Sequence, residues 1–189
     1  MCLTACYSSA MSALIDTARA IATAAHEGQR RKDGPAYITH PEAVAAMLQS
    51  RAFPDTFVAA AWVHDVLEDT KYPAAKLREE LGEEVMAIVE AVTEDKNLPW
   101  EERKQRYIET VRQGPEGAKA VSAADKIHNL TNVLEIHGAR GEEVWKMFNR
   151  GKEQKLWFEE SMLAMLKETW RHPLVGEYEQ LVERLRQLP

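Results

Sequence analysis

The sequence has few cysteines, no long apolar run and no excess of positive charge, and each shortage argues against a class of protein. Its two cysteines are Cys2 and Cys6, so no second pair completes a zinc site and we expect both to be bystanders. No apolar stretch approaches the roughly 20 residues that span a bilayer, which argues against a membrane protein. The net charge of −6 argues against a nucleic-acid partner, because phosphate-backbone binding needs a basic face.

The first residues lack the basic region and the apolar stretch of a secretory signal, so we expect a cytoplasmic protein with residues 1–10 frayed. A chain of 189 residues suits one domain over residues 1–189, and it leaves the number of subunits open. A small anionic ligand remains compatible with the negative net charge. Its site would need a local concentration of Lys and Arg or a bound cation.

Alternating strand patterns of any length are also missing, and helical periodicity dominates instead. We therefore predict an all-α fold, a single helical bundle. The predicted helices cover residues 12–27, 40–51 and 55–68, two segments of 74–95 that break around Gly82, and then 99–114, 115–138, 151–171 and 174–188. The segment 28–41 interrupts this pattern with two glycines, two prolines and a basic triplet, and loops of this kind often carry function.

An unusual group of ionisable residues lies in "WVHDVLEDT", residues 62–70. On a helix, residues four apart share a face, so His64 pairs with Glu68 and Asp65 with Asp69 in one polar stripe. A solvated stripe on a surface helix is the alternative. Apolar neighbours on both sides favour burial, and isolated buried carboxylates cost several kcal/mol each unless they are paired or bound to a cation.

Other segments supply partners for such a cation. His40 follows the basic loop, and Asp125 and Asn129 are four apart on another predicted helix. A set of two imidazoles and two carboxylates suits a divalent ion, with manganese favoured and zinc, iron or cobalt as alternatives. Each residue also has a structural alternative: His40 as a helix cap, Asp125 paired with Lys126 or an arginine, and His128 as a core histidine.

Four segments together resemble the HD-domain hydrolases of guanosine tetraphosphate and pentaphosphate, the alarmone hydrolases related to the bifunctional Rel and SpoT enzymes of the stringent response. They are "AHEGQRRKDGPAYITHPEAVA", "AAWVHDVLEDT", "LGEEVMAIVEAVTED" and "SAADKIHNL", within about residues 25–134. The resemblance implies a manganese-dependent enzyme that removes the 3′-pyrophosphate of these nucleotides. Since 189 residues leave no room for a synthetase domain, we expect a hydrolase only.

The resemblance also implies roles for individual residues. It implies that the metal ligands are His40, His64, Asp65 and Asp125. It assigns Glu68 and Asp69 to acid/base and water-positioning work, and Asn129 to contact with the nucleophile or substrate. It places Arg31, Lys32 and Tyr37 in the nucleotide pocket. The likeness of the last third to small alarmone hydrolases suggests Lys152 and Lys155 for the 5′ phosphates, with an exposed helix face as the equal alternative for both lysines.

Two departures leave the base preference open. Many relatives have an arginine where this chain has Thr131, and Asn132 stands where some have threonine or aspartate. The alternatives are therefore a hydrolase of adenine alarmones, or another HD-type nucleotide phosphohydrolase such as an NADPH phosphatase. A catalytically silent nucleotide-binding protein is a third alternative, although such proteins usually lose a metal ligand or the Glu68–Asp69 pair, and none is lost here.

Overall fold

The computed structural model describes residues 3–148 and 150–189, and the side chains of 13–148 and 150–189. Nine α-helices and one 3-10 helix account for most of this part of the chain, and its only β-pairing is an isolated bridge between Arg30 and Ala36. The α-helices are α1 (Leu3–Ala25), α2 (Thr39–Ser50), α3 (Asp55–Val63), α4 (Val66–Asp69), α5 (Ala74–Val92), α6 (Trp100–Gln113), α7 (Glu116–Arg140), α8 (Gly151–Thr169) and α9 (Pro173–Gln187). The predicted all-α fold is confirmed.

The expectations for the N-terminus remain predictions. Cys2 and the side chain of Cys6 lie outside the described residues, as do residues 1 and 2 of the segment expected to be frayed. None of the helices in the described part of the chain has the length and apolar character needed to cross a membrane.

Helix α3 lies at the centre of the bundle. Every residue from Val58 to Val63 is buried, and the helix packs against α1, α2, α5 and α7. A short helix that is apolar on all sides must be covered on all sides. This central position carries the residues that follow Val63 into the protein interior.

Several helix boundaries follow the proline and glycine signals of the sequence. Prolines with extended or near-extended ψ precede α3, α5, α6 and α7, because proline has no N–H to donate and its fixed φ suits a helix start. Gly82 interrupts α5 with φ 81° and ψ 171°, a left-handed φ that glycine adopts without steric cost. The predicted break around Gly82 is confirmed.

Besides α1, which begins at Leu3 and not at residue 12, two elements differ from the sequence prediction. The predicted helix over 55–68 ends at Val63 and resumes at Val66 as the single turn α4, with His64 and Asp65 between the two helices and ψ −5° at Asp65. A 3-10 helix over Gly141–Met147 follows α7 and was not predicted. Both differences occur at the walls of the site described below.

The last two helices are joined by a buried carboxylate. Glu159 of α8 has no exposed surface, and it accepts hydrogen bonds from Lys155 on its own helix and from the Tyr178 hydroxyl of α9. Removing one partner of a buried charged group leaves the other unsatisfied, so these contacts hold α8 and α9 in one arrangement.

Gly117, in the first turn of α7, allows α7 to approach α5 and α3. A Cβ there would lie 2.4 Å from Ile88 Cδ1, 2.8 Å from Ile88 Cγ1 and 3.0 Å from Phe57 Cδ1. We expect Gly117→Ala to destabilise the protein by about 1–3 kcal/mol through overpacking. The free energy of unfolding in urea measures this effect.

Gly138→Ala is the matched control, because it makes the same change in the same helix with no atom within 4 Å of the added Cβ. We expect it to raise the free energy of unfolding by about 0.5–1 kcal/mol, since alanine has the higher helix propensity. Equal effects of the two substitutions would contradict the packing shown for Gly117.

Candidate active site

Two histidines and two aspartates from three parts of the chain meet in the interior. His40 lies in the first turn of α2, His64 and Asp65 lie between α3 and α4, and Asp125 lies in the middle of α7. His40 and His64 are 2% and 4% exposed, and their Nε2 atoms are 3.3 Å apart. The structure therefore brings together all four residues suggested as metal ligands.

The carboxylate oxygens point at the same place as the imidazole nitrogens. Asp65 Oδ2 is 3.3 Å from His64 Nε2 and 3.6 Å from His40 Nε2, and Asp125 Oδ1 is 3.1 Å from His40 Nε2 and 3.9 Å from His64 Nε2. One ligand atom from each of His40, His64 and Asp65 lies within 4.8 Å of the other two. Such a convergence of nitrogen and carboxylate donors suits a divalent metal ion.

The Nδ1 atoms of His40 and His64, on the side of each ring away from the cluster, each have a hydrogen-bond partner. His64 Nδ1 lies 2.7 Å from the Ala61 carbonyl oxygen and donates to it, which leaves Nε2 free for a metal. His40 Nδ1 lies 2.8 Å from His128 Nδ1. Histidine ligands of metals almost always have such a partner on the second nitrogen, so this arrangement fits a bound ion.

The buried charges shift several pKa values. Burial opposes the ionisation of Asp125, but the neighbouring Lys126 ammonium and then His40 hold its pKa well below the usual range. Burial likewise opposes the protonation of His64, yet Asp65 and Asp125 raise its pKa. These carboxylates therefore favour positive charge at the cluster, which a divalent cation would supply.

Glu68 and Asp69 occupy different environments although they are adjacent in α4. Burial raises the pKa of Glu68, and Oε2 accepts the Glu94 backbone N–H at 3.0 Å. Asp69 Oδ2 lies 2.8 Å from the Tyr37 hydroxyl, and Asp69 accepts from Lys96, whose Nζ also lies 3.5 Å from Glu68 Oε1. The four-residue spacing between Asp65 and Asp69 survives the helix break, because Asp69 N–H donates to Asp65 O at 2.9 Å.

Tyr37 does more than line a pocket. Its hydroxyl lies 2.6 Å from Asp65 Oδ2 as well as 2.8 Å from Asp69 Oδ2, and its ring stacks on His26 with centroids 4.6 Å apart. His26 in turn contacts Gln29 Oε1, and Gln29 donates to the Asp69 carbonyl at 3.1 Å. Tyr37 therefore connects a proposed metal ligand with one of the proposed catalytic acids.

A cleft of about 630 Å³ adjoins the cluster. Tyr37, Lys126 and Asn129 line it, and each contacts Asp65 or Asp125: Lys126 donates to Asp125 Oδ2 at 2.8 Å and Asn129 to Asp125 Oδ1 at 2.5 Å. The volume lies in the ordinary range for small-molecule and cofactor sites. A ligand in the cleft would reach the cluster of His40, His64, Asp65 and Asp125.

The cleft is strongly basic although the chain is acidic. Among the residues that the structure describes, its lining includes seven basic side chains and one acidic side chain, Asp33. The basic residues are Arg31, Lys32, Arg103, Lys104, Lys126, Arg150 and Lys155. Apolar side chains line the cleft as well, and they include Val133 and Ile136 of α7, Val144 and Met147 of the 3-10 helix, and Phe148 after it. This combination favours an anionic ligand with an apolar part.

The residues suggested for substrate binding do not all reach the cleft. Arg31 lines it and donates to Asn129 Oδ1 at 3.2 Å, and Lys32 lines it and donates to the Met147 carbonyl at 2.8 Å. Lys155 lines it and pairs with Glu159. Lys152, by contrast, donates to the Leu188 carbonyl and is not part of the lining, so the structure does not bring it to the site.

The sequence reasoning missed the wall formed by α6 and the start of α8. Arg103 Nε lies 2.8 Å from Glu94 Oε2, and Glu94 also pairs with Lys104. Burial and the charge of Lys126 lower the pKa of Lys104. The amphipathic pattern of "PWEERK" identified α6 as a peripheral helix, and no signal within that segment indicates which neighbour it faces.

Comparisons with known proteins agree with this geometry. The sequence profile described as HD domain matches residues 18–148, which include all four proposed metal ligands. The guanosine-3′,5′-bis(diphosphate) 3′-pyrophosphohydrolase MESH1 of Mus musculus is 41% identical over 112 residues, or 57% of this chain. The match spans 63% of the mouse protein, less than two thirds of its length.

Two solved structures have a similar fold. A protein of Listeria monocytogenes EGD-e superimposes with a TM-score of 0.71 at 35% identity and covers 77% of this chain and 97% of its own. A metazoan ortholog of SpoT, described as hydrolysing ppGpp and playing a role in starvation responses, superimposes with a TM-score of 0.76 at 26% identity. It covers 94% of this chain and 97% of its own. The resemblance inferred from the sequence is confirmed, and the chain belongs to the HD-domain family.

Proposed function

We propose that this protein is a divalent-metal-dependent hydrolase that removes the 3′-pyrophosphate of guanosine tetraphosphate and pentaphosphate, releasing pyrophosphate and leaving GDP or GTP. The single observation that carries the proposal is the continuity of the His-Asp cluster with a basic cleft large enough for a nucleotide. The similarity to 3′-pyrophosphohydrolases supports the choice of substrate.

His40, His64, Asp65 and Asp125 would hold the metal, with manganese preferred for a set of two nitrogen and two carboxylate ligands. When bound, the ion lowers the pKa of a coordinated water and stabilises negative charge on the phosphoryl oxygens. Lys126 and Asn129 orient the Asp125 carboxylate, while Tyr37 orients that of Asp65. These contacts preset the positions of the carboxylate ligands.

Glu68 and Asp69 take different parts in the reaction. Glu68 is half-buried, and its raised pKa suits a group that takes a proton from the attacking water and passes it to the leaving oxygen. Asp69 is held by Tyr37 and Lys96, which suits it to fix the direction of the water. Asn129 completes the site, because it contacts both Asp125 and Arg31.

The nucleotide lies along the cleft with its phosphates against the basic side chains of the lining. Arg31, Lys32 and Lys155 contact the nucleotide, and Arg103 and Lys104 join them. Guanidinium and ammonium groups give charge-assisted hydrogen bonds to phosphate. The base packs against the apolar side chains of the lining. Asn132 lies beside them and donates to Asp33 at 3.2 Å.

The substrate is tested with a panel of nucleotides. With Mn²⁺, we expect the protein to release pyrophosphate from guanosine 3′,5′-bis(diphosphate), and we expect a chelator to abolish release because the cluster then lacks its ion. The panel includes the adenosine counterpart and NADPH, with pyrophosphate and phosphate measured separately. Preferential turnover of either would replace the proposed substrate. Binding without release from any of them would identify a silent nucleotide-binding protein.

The metal centre is tested without substrate. We expect Asp65→Ala to abolish Mn²⁺ binding measured by calorimetric titration, because it removes a carboxylate at the centre of the cluster. Turnover should be lost with it. Asp16→Ala is the matched control, since the Asp16 side chain is 60% exposed and pairs with Arg19 on the surface. Unchanged Mn²⁺ affinity in Asp65→Ala would refute the proposed ligand set.

The proton-transfer role of Glu68 is tested with a side chain of nearly the same shape. We expect Glu68→Gln to retain Mn²⁺ affinity, because the amide oxygen still accepts the Glu94 N–H, and to lower kcat by about 10²–10⁴-fold. The control is Glu83→Gln, at a side chain 77% exposed. An unchanged kcat in Glu68→Gln would exclude Glu68 as the acid/base.

A further inference from the structure

His128 contacts a proposed metal ligand, yet the proposed reaction gives it no role. It lies three residues after Asp125 on α7, and its ring lies 4.9 Å from that of His40 between centroids, at an angle of 37°. The two Nδ1 atoms are 2.8 Å apart. This distance is a hydrogen bond, so one of the two nitrogens carries the proton and the other accepts it.

The position of His40 decides which nitrogen is the donor in the metal-bound protein. His40 Nε2 faces the cluster, 3.1 Å from Asp125 Oδ1 and 3.6 Å from Asp65 Oδ2. A metal ligand must offer a lone pair, so Nε2 carries no proton and the ring proton lies on Nδ1. The acceptor is then His128 Nδ1.

We infer that His128 is a positioning residue of the metal centre: its Nδ1 accepts the His40 Nδ1–H and thereby fixes the tautomer and the ring orientation of His40. The inference rests on the proposed metal centre and adds a residue to it. It also gives the His128–Asn129 pair two separate tasks, because Asn129 contacts Asp125 while His128 contacts His40.

The two histidine ligands differ in what supports them. His64 Nδ1 donates to the Ala61 carbonyl oxygen, a backbone atom that can only accept and that no side-chain substitution removes. His40 relies on a side chain that both donates and accepts. The reverse arrangement, with His128 as donor, would place the His40 proton on Nε2, directed at Asp125 and blocking coordination.

The affinity of the protein for Mn²⁺, measured without nucleotide, tests the inference. We expect His128→Leu, which fills similar space without an acceptor, to weaken Mn²⁺ binding about 10–100-fold. We expect His128→Asn to restore affinity to within a few-fold of the original, because its Oδ1 can take the place of Nδ1. Thr131→Val is the control: Thr131 lines the same small cavity of about 320 Å³ as His128, but its hydroxyl donates to the Ile127 carbonyl.

The outcomes separate this inference from the metal centre itself. If the unsubstituted protein binds no divalent ion, the metal centre fails. If it binds Mn²⁺ and His128→Leu binds equally well, the metal centre stands and the role of His128 is refuted. Equal losses in His128→Leu and His128→Asn would also overturn it, because the acceptor atom would then not matter.

A second measurement uses the unsubstituted protein, so it does not depend on whether a variant folds. In ¹H–¹⁵N spectra of the protein loaded with diamagnetic Zn²⁺, we expect a protonated Nδ1 on His40 and an unprotonated Nδ1 on His128. A protonated His128 Nδ1 in the metal-loaded protein would overturn the inference.

Discussion

Two aspartates, Asp65 and Asp125, face one point inside a helical bundle, and much of the surrounding structure compensates their charge. Leaving such carboxylates unpaired in the interior would cost several kcal/mol each. His40 and His64 approach from one side, and Lys126 lies 2.8 Å from Asp125 on the other. The packing of α2 and α7 around α3 is therefore also the arrangement that brings the opposite charges together.

Hydrogen bonds and ion pairs between charged groups continue from the His-Asp cluster into the cleft. Arg31 donates to Asn129, and Asn129 donates to Asp125, so the basic loop before α2 is connected to the His-Asp cluster by two hydrogen bonds. Glu94 pairs with both Arg103 and Lys104, and these ion pairs hold the two basic side chains in place. A chain with a net charge of −6 thus places basic side chains such as Arg103 and Lys104 around one cleft.

Sequence reasoning identified the helices because they depend on short-range rules, and it identified the four His and Asp residues from the motifs that the chain shares with the family. Proline before a helix, glycine at a break and the period of apolar residues act within a few positions, and they predicted the interruption at Gly82. The four-residue spacing likewise put Asp125 and Asn129 on one face of a predicted helix, and in the structure Asn129 donates to Asp125 at 2.5 Å. The periodicity did not predict the end of α3 at Val63. The apolar pattern continues through Val66 and Leu67, and a sequence pattern does not record the backbone angle at a single residue such as Asp65, with ψ −5°.

The sequence by itself determined the all-α fold, the group of four histidine and aspartate residues and the family to which they belong. Only the tertiary structure decided which distant segments complete the site. It placed Arg103 and Lys104 of α6 in the cleft, brought Lys155 there while turning Lys152 toward Leu188, and set His128 behind His40. Those contacts join residues tens of positions apart, and packing between helices, which no local pattern encodes, selects among the faces that each helix offers.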